Sequence, residues 1–298
     1  MKKQTMFQKG IASVAALTLA CSMVAVAPAS ALAAEKKSAK KPPATKITKL
    51  TRTQTTLTVK WKKVSAKKAD GYEVRYATNA KMSKAKTQKV TKAKTASVTI
   101  KKKIKPATTY YVQVRTYKKV GKKTQYSAWS ATKSITTRVK TGDKKLDKNI
   151  NNILDKKIKK TGEAGLKKAF DYVANLEYKS AKTSIKGKWT KWSVSAASKM
   201  IKNEGGNCYE AASLFCWLAK GLGYDAKVVT GSLITQTKEQ PHGWVEIKVD
   251  GKNYVCDPNL ENTYRRNDSA LRKNLESFGK NSNLFMETYG NVFYKYKK

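Results

Sequence analysis

The stretch Gly206-Asn207-Cys208-Tyr209-Glu210-Ala211-Ala212-Ser213-Leu214-Phe215-Cys216-Trp217-Leu218-Ala219 decides how the second half of this chain folds. Glu204-Gly205-Gly206 must end any preceding helix. Asn207 then stands where an N-cap side chain is wanted, and Glu210 follows three residues on, an Asn-led capping box. That makes Cys208 the first residue of a new helix. From Ala211 to Ala219 every residue except Ser213 is apolar, so the helix has no solvent face and is buried all round. It reads as the axis of its domain, with Cys208 at the tip. A thiol there meets unpaired backbone N–H groups and the positive end of the helix dipole, which favour thiolate. The same N–H groups can help hold an oxyanion. Cys216 lies two turns inside, among Phe215, Trp217 and Leu218, and reads as packing.

Downstream, Gly221 and Gly223 end the helix and Ala226–Gly231 reads as a strand. A polar loop from Ser232 to Pro241 leads to His242, the only histidine in the chain. Trp244–Val249 and Lys252–Asp257 flank Asp250-Gly251, a strong two-residue hairpin signal. That turn pairs Val249 with Lys252, Ile247 with Tyr254, Val245 with Cys256 and Trp244 with Asp257. His242, two residues from Trp244, then shares a face with Asp257 and lies diagonally within reach of it. Cys256 falls on the opposite, apolar face. A three-residue loop would flip one strand and undo this separation. Taken singly, a cysteine at a helix start, a histidine after proline and an aspartate before proline are more often surface, packing and turn residues. Together they fit nucleophile, base and orienter: Cys208, His242 and Asp257.

Gly206-Asn-Cys208-Tyr-Glu-Ala-Ala, Leu222-Gly-Tyr, Val228-Val-Thr-Gly231, His242-Gly-Trp244-Val and Tyr254-Val-Cys-Asp257-Pro258 resemble the core of the transglutaminase-like superfamily, over roughly 145–262. These are papain-related thiol enzymes with Cys, His and Asp in that chain order. The resemblance implies an α+β, papain-like domain with a central buried helix on an antiparallel sheet. It also implies catalytic roles for Cys208, His242 and Asp257. It fixes a reaction class but no substrate, since members include transglutaminases, proteases and peptide amidases. No calcium-activation motif, metal site or cofactor motif is visible. Trp189 is a candidate for lining the cleft.

Upstream the period is two rather than 3.6. Leu57-Thr-Val59-Lys-Trp61, Tyr72-Glu-Val74-Arg-Tyr76, Val98/Ile100 and Tyr110/Val112/Val114 alternate between turn signals, with Trp129 placed in a last strand. Several short strands in about 90 residues read as an all-β sandwich. Trp61, Gly71-Tyr72-Glu-Val74-Arg-Tyr76, Ile104-Lys-Pro106-Ala-Thr108-Thr-Tyr110 and Tyr126-Ser-Ala-Trp129-Ser130 resemble a fibronectin type III module, the Ile-x-Pro-x-Thr-x-Tyr run being similar to its tyrosine corner. Such modules space or bind; they rarely catalyse. After Thr141-Gly142 helical spacing begins, with Leu146, Ile150, Ile153, Leu154 and Ile158 on one stripe and Leu166, Phe170, Val173 and Leu176 on a second. Residues 179–192 read as loop and 194–203 as a short helix. In the tail, a helical stretch near 269–278 precedes aromatic residues that complete the sheet or cover the core.

Lys2, Lys3 and Lys9, an apolar run from Ile11 to about Ala27 and Ala29-Ser30-Ala31-Leu32-Ala33-Ala34 have the form of a signal peptide cleaved near residue 34. Cys21 after Thr18-Leu19-Ala20 is a weak lipoprotein-like signal that the continuing apolar run argues against. No later stretch reaches the ~18 apolar residues needed to span a bilayer. Organisation is therefore read as signal peptide 1–34, flexible linker 35–45, fibronectin-like sandwich 46–140 and transglutaminase-like domain 143–298. Three cysteines remain after such cleavage, so at least one is unpaired within the chain. The net charge is +43, and residues 35–140 hold 31 Lys/Arg against 3 acids. This predicts attraction to polyanions. Export excludes nucleic acid as the partner and favours an anionic cell-envelope polymer; a lysine coat serving only solubility is the simpler reading. The expected protein is thus a secreted or cell-surface thiol enzyme acting on a protein or peptide substrate, more a protease or amidase than a cross-linking transglutaminase. The alternative is a catalytically silent transglutaminase-like domain in a basic envelope-binding protein. Substrate and oligomeric state are not legible in the sequence.

Overall fold

The computed structural model describes residues 40–180, 182–234, 238–249, 251–267 and 293–296. The expected signal peptide, residues 35–39 of the expected linker and the helix expected near 269–278 lie outside the described residues. Residues 42–45 do not behave as a free linker. Pro42 and Thr45 are buried, the Pro43 carbonyl accepts from Thr116 Oγ1 at 2.7 Å, and Thr45 Oγ1 donates to the Lys62 carbonyl. Their Pro/Thr composition reads as linker, yet it also suits a segment docked along a sheet edge.

The first region is a β-sandwich. One sheet runs β1 (Ile47–Arg52), β2 (Leu57–Trp61), then the later β5 (Ser97–Ile100). The other is built from β3 (Gly71–Ala77), β4 (Lys86–Val90), β6 (Thr109–Val120) and β7 (Lys123–Tyr126) in the order β4-β3-β6-β7, with β8 (Lys133–Thr136) also paired to β6. The alternating residues meet between the sheets: Leu57, Val59 and Trp61 face Tyr72, Val74, Val112 and Val114. The Trp61 and Tyr72 rings lie 5.0 Å apart. Tyr110 makes the expected corner, its hydroxyl accepting from the Lys105 N–H at 2.9 Å. Trp129, expected in a strand, lies in the connection between β7 and β8. Its ring is held by the Arg75 and Arg115 guanidinium groups, each 4.3 Å from its centroid, so stacking rather than strand pairing places it.

The second region packs helices on a sheet. α1 (Lys144–Asn152), capped by Asp143, continues into a π-helical segment, Ile153–Ile158, and α2 (Gly162–Ala174) follows. A two-residue strand β9 (Glu177–Tyr178) pairs with β10 (Gly205–Gly206) on either side of α3 (Trp189–Asn203). α3 therefore starts earlier than the polar character of 188–191 implies. Trp192 is buried on it, and Ser193 accepts from Trp217 Nε1 at 3.2 Å, contacts that reward helix over loop. α4 (Cys208–Gly221) is the central helix. Every residue from Glu210 to Ala219 is buried, and Phe215 meets Phe170 of α2 edge-on at 5.4 Å.

The antiparallel sheet is formed by β11 (Asp225–Ile234), β12 (Glu239–Val249) and β13 (Lys252–Cys256). After α5 (Pro258–Asn267), β14 (Phe293–Tyr296) completes it in the order β13-β12-β11-β14. Val245, Ile247 and Cys256 face α4, whereas Trp244, Val255 and Leu233 form a separate cluster with Leu260 of α5. Of the polar residues 232–241, expected to form a loop, 232–234 and 239–241 are strand. β14 pairs with Gly231–Ile234, so the backbone groups are satisfied within the sheet whatever the side chains' polarity. None of the described helices is long and apolar enough to cross a membrane.

Candidate active site

Cys208 stands at the tip of α4, half-exposed, whereas Cys216 and Cys256 are buried. The cap that places it is the predicted one. Asn207 Oδ1 accepts from the N–H groups of Tyr209 at 3.0 Å and Glu210 at 3.1 Å, and Glu210 Oε2 accepts from the Asn207 N–H at 3.4 Å. The sequence reading missed a third member. Thr183, in the segment before α3, accepts from Asn207 Nδ2 and donates to Glu210 Oε1, both at 2.9 Å. A lone threonine 24 residues upstream carries no local signal.

His242 is delivered by β12, opposite Gly231 of β11. The hairpin register is the expected one: Val245 opposite Cys256, Ile247 opposite Tyr254, Val249 opposite Lys252. Gly251 takes a φ of 83°, which a residue with a Cβ seldom adopts. The next residue along β13 from Cys256 is Asp257, wholly buried, whose Oδ2 lies 2.6 Å from His242 Nε2. With Nε2 committed to the carboxylate, Nδ1 is the nitrogen left for the thiol, and Cys208 acts electrostatically on the imidazole. Gly243 permits this approach, because a Cβ there would sit 2.6 Å from the Tyr209 ring, next to Cys208.

Asp257 is also the first residue of a helix cap. Its Oδ1 accepts from the Leu260 N–H at 2.9 Å and its carbonyl from the Glu261 N–H, with Pro258 in the first turn where no N–H is needed. A second donor reaches Oδ2: the Tyr294 hydroxyl of β14 donates to it at 3.0 Å. The Tyr294 ring also packs on Trp244 at 4.9 Å. Sequence reasoning placed the tail aromatics only in a general covering role, since nothing local ties residue 294 to residue 257.

Burial pulls the His242 pKa down, but the Asp257 charge and hydrogen bond, together with the Cys208 contact, outweigh it and raise it to about 10. Burial pushes the Cys216 thiol up to about 12 and Cys256 upward as well. Of the three described cysteines, then, only Cys208 combines access with a cationic neighbour.

Residues 149–258 match the transglutaminase-like superfamily. Members of this superfamily are generally cysteine enzymes of papain-like type. Residues 41–133 match the fibronectin type III domain. Similar solved structures include the FN1–FN3 domains of chicken CNTN1, at 26% identity over 33% of this chain and 33% of that one, with a TM-score of 0.28. They also include the fn3 domain of human contactin 1, at 19% identity over 39% of this chain and 95% of that one, TM-score 0.30. A third is the third fibronectin III domain of the human KIAA0343 protein, at 17% over 37% and 95%, TM-score 0.28. The chain spans about a third of the length of the first of these. No curated protein matches the chain.

A cleft of about 490 Å³ opens at Tyr209, the residue that follows Cys208 on α4. It is bounded by Ile185 and Tyr209, by Gly231 and Pro241 of the sheet, and by Lys295 and Tyr296 of β14. Trp189, expected to line the cleft, does not. Its ring packs 5.9 Å from Trp217, well along α4 from Cys208, with Lys220 Nζ over its face. Among the described residues no group of three or more His, Cys, Asp or Glu is arranged to hold a metal ion.

Proposed function

We propose that the protein is a secreted or cell-surface thiol enzyme that cleaves peptide or carboxamide bonds, with Cys208 as nucleophile, His242 as proton carrier and Asp257 as orienter. One observation carries this reading: the only histidine of the chain is clamped by a buried carboxylate at 2.6 Å and feels the charge of a half-exposed cysteine at a helix tip. An imidazolium held in that position stabilises a thiolate beside it. The sulfur attacks the carbonyl carbon, the C–N bond breaks, and the imidazolium proton goes to the departing amine, leaving a thioester. Neutral His242 then takes a proton from water as it attacks the thioester, releasing the acid and restoring the imidazolium–thiolate pair.

The oxyanion formed at each stage needs a donor. The cap already engages the N–H groups of Tyr209 and Glu210, which leaves that of Cys208 as the helix-tip donor. Water reaches a half-exposed thioester without a binding site of its own, which favours hydrolysis over transfer to an amine. Incubation with a glutamine-containing protein and a labelled primary amine tests this. Cleavage or ammonia release without label is the expected result; incorporated label would make the enzyme a transglutaminase, and neither product would remove the enzymatic reading.

The basic fibronectin-like module would hold the enzyme on an anionic envelope polymer. Binding of that kind falls steeply with salt, so co-sedimentation with anionic cell-wall material should be lost between low and high ionic strength. The charge of +43 also supports a second reading, a silent transglutaminase-like domain in a basic binding protein. It predicts that Cys208→Ala keeps every effect of the wild type and that iodoacetamide labels none of the cysteines selectively.

A further inference from the structure

The orienting carboxylate receives more than the thiol chemistry requires. Asp257 is wholly buried and accepts three hydrogen bonds: from His242 and Tyr294 at Oδ2 and from the Leu260 N–H at Oδ1. The Leu260 bond belongs to the cap of α5. The Tyr294 bond comes from another part of the sheet, on a strand that pairs with β11 across Gly231–Ile234. That pairing is provided for in the sequence. A Cβ at Gly231 would sit 2.0 Å from the Lys295 carbonyl and 2.9 Å from the Trp244 ring, so glycine is what lets β14 lie there. The Tyr294 ring then rests on Trp244, and Lys295 pairs with Glu239 at 3.3 Å.

We infer that Tyr294 is a positioning residue for the thiol site, its hydroxyl holding the Asp257 carboxylate in the plane from which it orients His242. The inference rests on the proposed thiol chemistry. Its physical basis is that a carboxylate oxygen with one donor can rotate away, whereas two donors on Oδ2 and a backbone N–H on Oδ1 fix both oxygens. The hydroxyl also draws off part of the negative charge that the imidazolium feels. Removing it leaves a carboxylate that is less well aimed but binds the imidazolium proton more strongly. The titratable groups facing the imidazole among the described residues are Asp257, Cys208 of α4 and Tyr294 of β14.

A single histidine makes the test direct, because the protein without a histidine tag gives one imidazole signal by NMR. In Tyr294→Phe, which keeps the ring on Trp244, the midpoint of that signal should rise by about half a pH unit or more, and alkylation of Cys208 by iodoacetamide should slow several-fold. Glu239→Gln, which removes the Lys295 tie of β14 without touching the carboxylate, should move neither. An unchanged midpoint in Tyr294→Phe, or an equal shift in Glu239→Gln, would reduce Tyr294 to a docking contact and overturn the inference while leaving the thiol reading intact. The thiol reading itself fails on a different result: Cys208→Ser leaves the imidazole midpoint where it was, and iodoacetamide shows no preference for Cys208.

Discussion

Three cysteines of one chain meet three different environments, and burial sorts them. Cys216 and Cys256 lose so much solvation that their thiolates are disfavoured, Cys216 to about 12. Iodoacetamide near neutral pH should therefore modify Cys208 at least tenfold faster than either, read by peptide mass mapping, and denaturation should abolish the difference. His242 gives a second residue-scale prediction. Its folded pKa of about 10 lies above its unfolded value of 6.5. The stabilisation it contributes is thus full below pH 6.5 and is lost as pH rises through about 10. Across that window the wild type should lose on the order of a few kcal/mol more than His242→Asn. Denaturant unfolding at stepped pH measures the difference; parallel curves would refute it. The placement of Cys208, His242 and Asp257 was legible in the sequence because each position is fixed by a local rule, a cap or a hairpin register. Thr183 and Tyr294 were not, since their partners are distant in sequence and polar contacts of that kind leave no periodic trace.

At the level of the element, α4 shows how a cap can organise a site. Asn207 bonds two N–H groups of its own helix and also ties Thr183 from the preceding segment. Asn207→Ala should cost about 1–2 kcal/mol for the cap and should free residues 182–188 to proteolysis, which limited trypsin digestion at Lys186 and Lys188 would detect. Gly231→Val addresses the opposite edge of the sheet. It should unseat β14 and, with it, the Tyr294 hydrogen bond, so its imidazole midpoint should match that of Tyr294→Phe. The sheet also shows where pattern reading stops. Alternation located the β12–β13 hairpin to the residue because one face is buried against α4. It failed over 232–234 and 239–241, where β11 pairs with β12 and with β14, and at Trp189 and Trp192, whose aromatic character gives no hint of a helix start.

At the scale of the molecule the sandwich and the helical domain share a polar junction. Gln54 Nε2 donates to Asp147 Oδ2 at 2.8 Å and to the Val139 carbonyl at 3.0 Å, and the Thr141 N–H donates to Asp147 Oδ1 at 2.6 Å. Asp155 receives Arg138 at 2.7 Å and Arg52 at 3.4 Å, both exposed enough to contribute little. Asp147 is buried and carries the junction, so Asp147→Ala should cost about 1–3 kcal/mol. Scanning calorimetry should then show the sandwich and the helical domain melting separately where the wild type melts as one. Neither partner of this junction was visible in the sequence, where Gln54 and Asp147 look like surface residues. The two-domain order itself was, because the hydrophobic period changes from two to 3.6 near residue 142.

The position of β14 in the chain also sets an order in time. A polypeptide is made and folds from its N-terminal side. The sandwich, the central helix with its thiol, and the hairpin that joins imidazole to carboxylate can all form before residues 293–296 exist. Only when those four residues emerge can the phenol reach the carboxylate and the last wall of the cleft be set. Cys208 is thus made 85 residues before β14 begins, and the hairpin ending at Cys256 is complete 37 residues before it, so the Tyr294 hydrogen bond is the last tie of Asp257 to form.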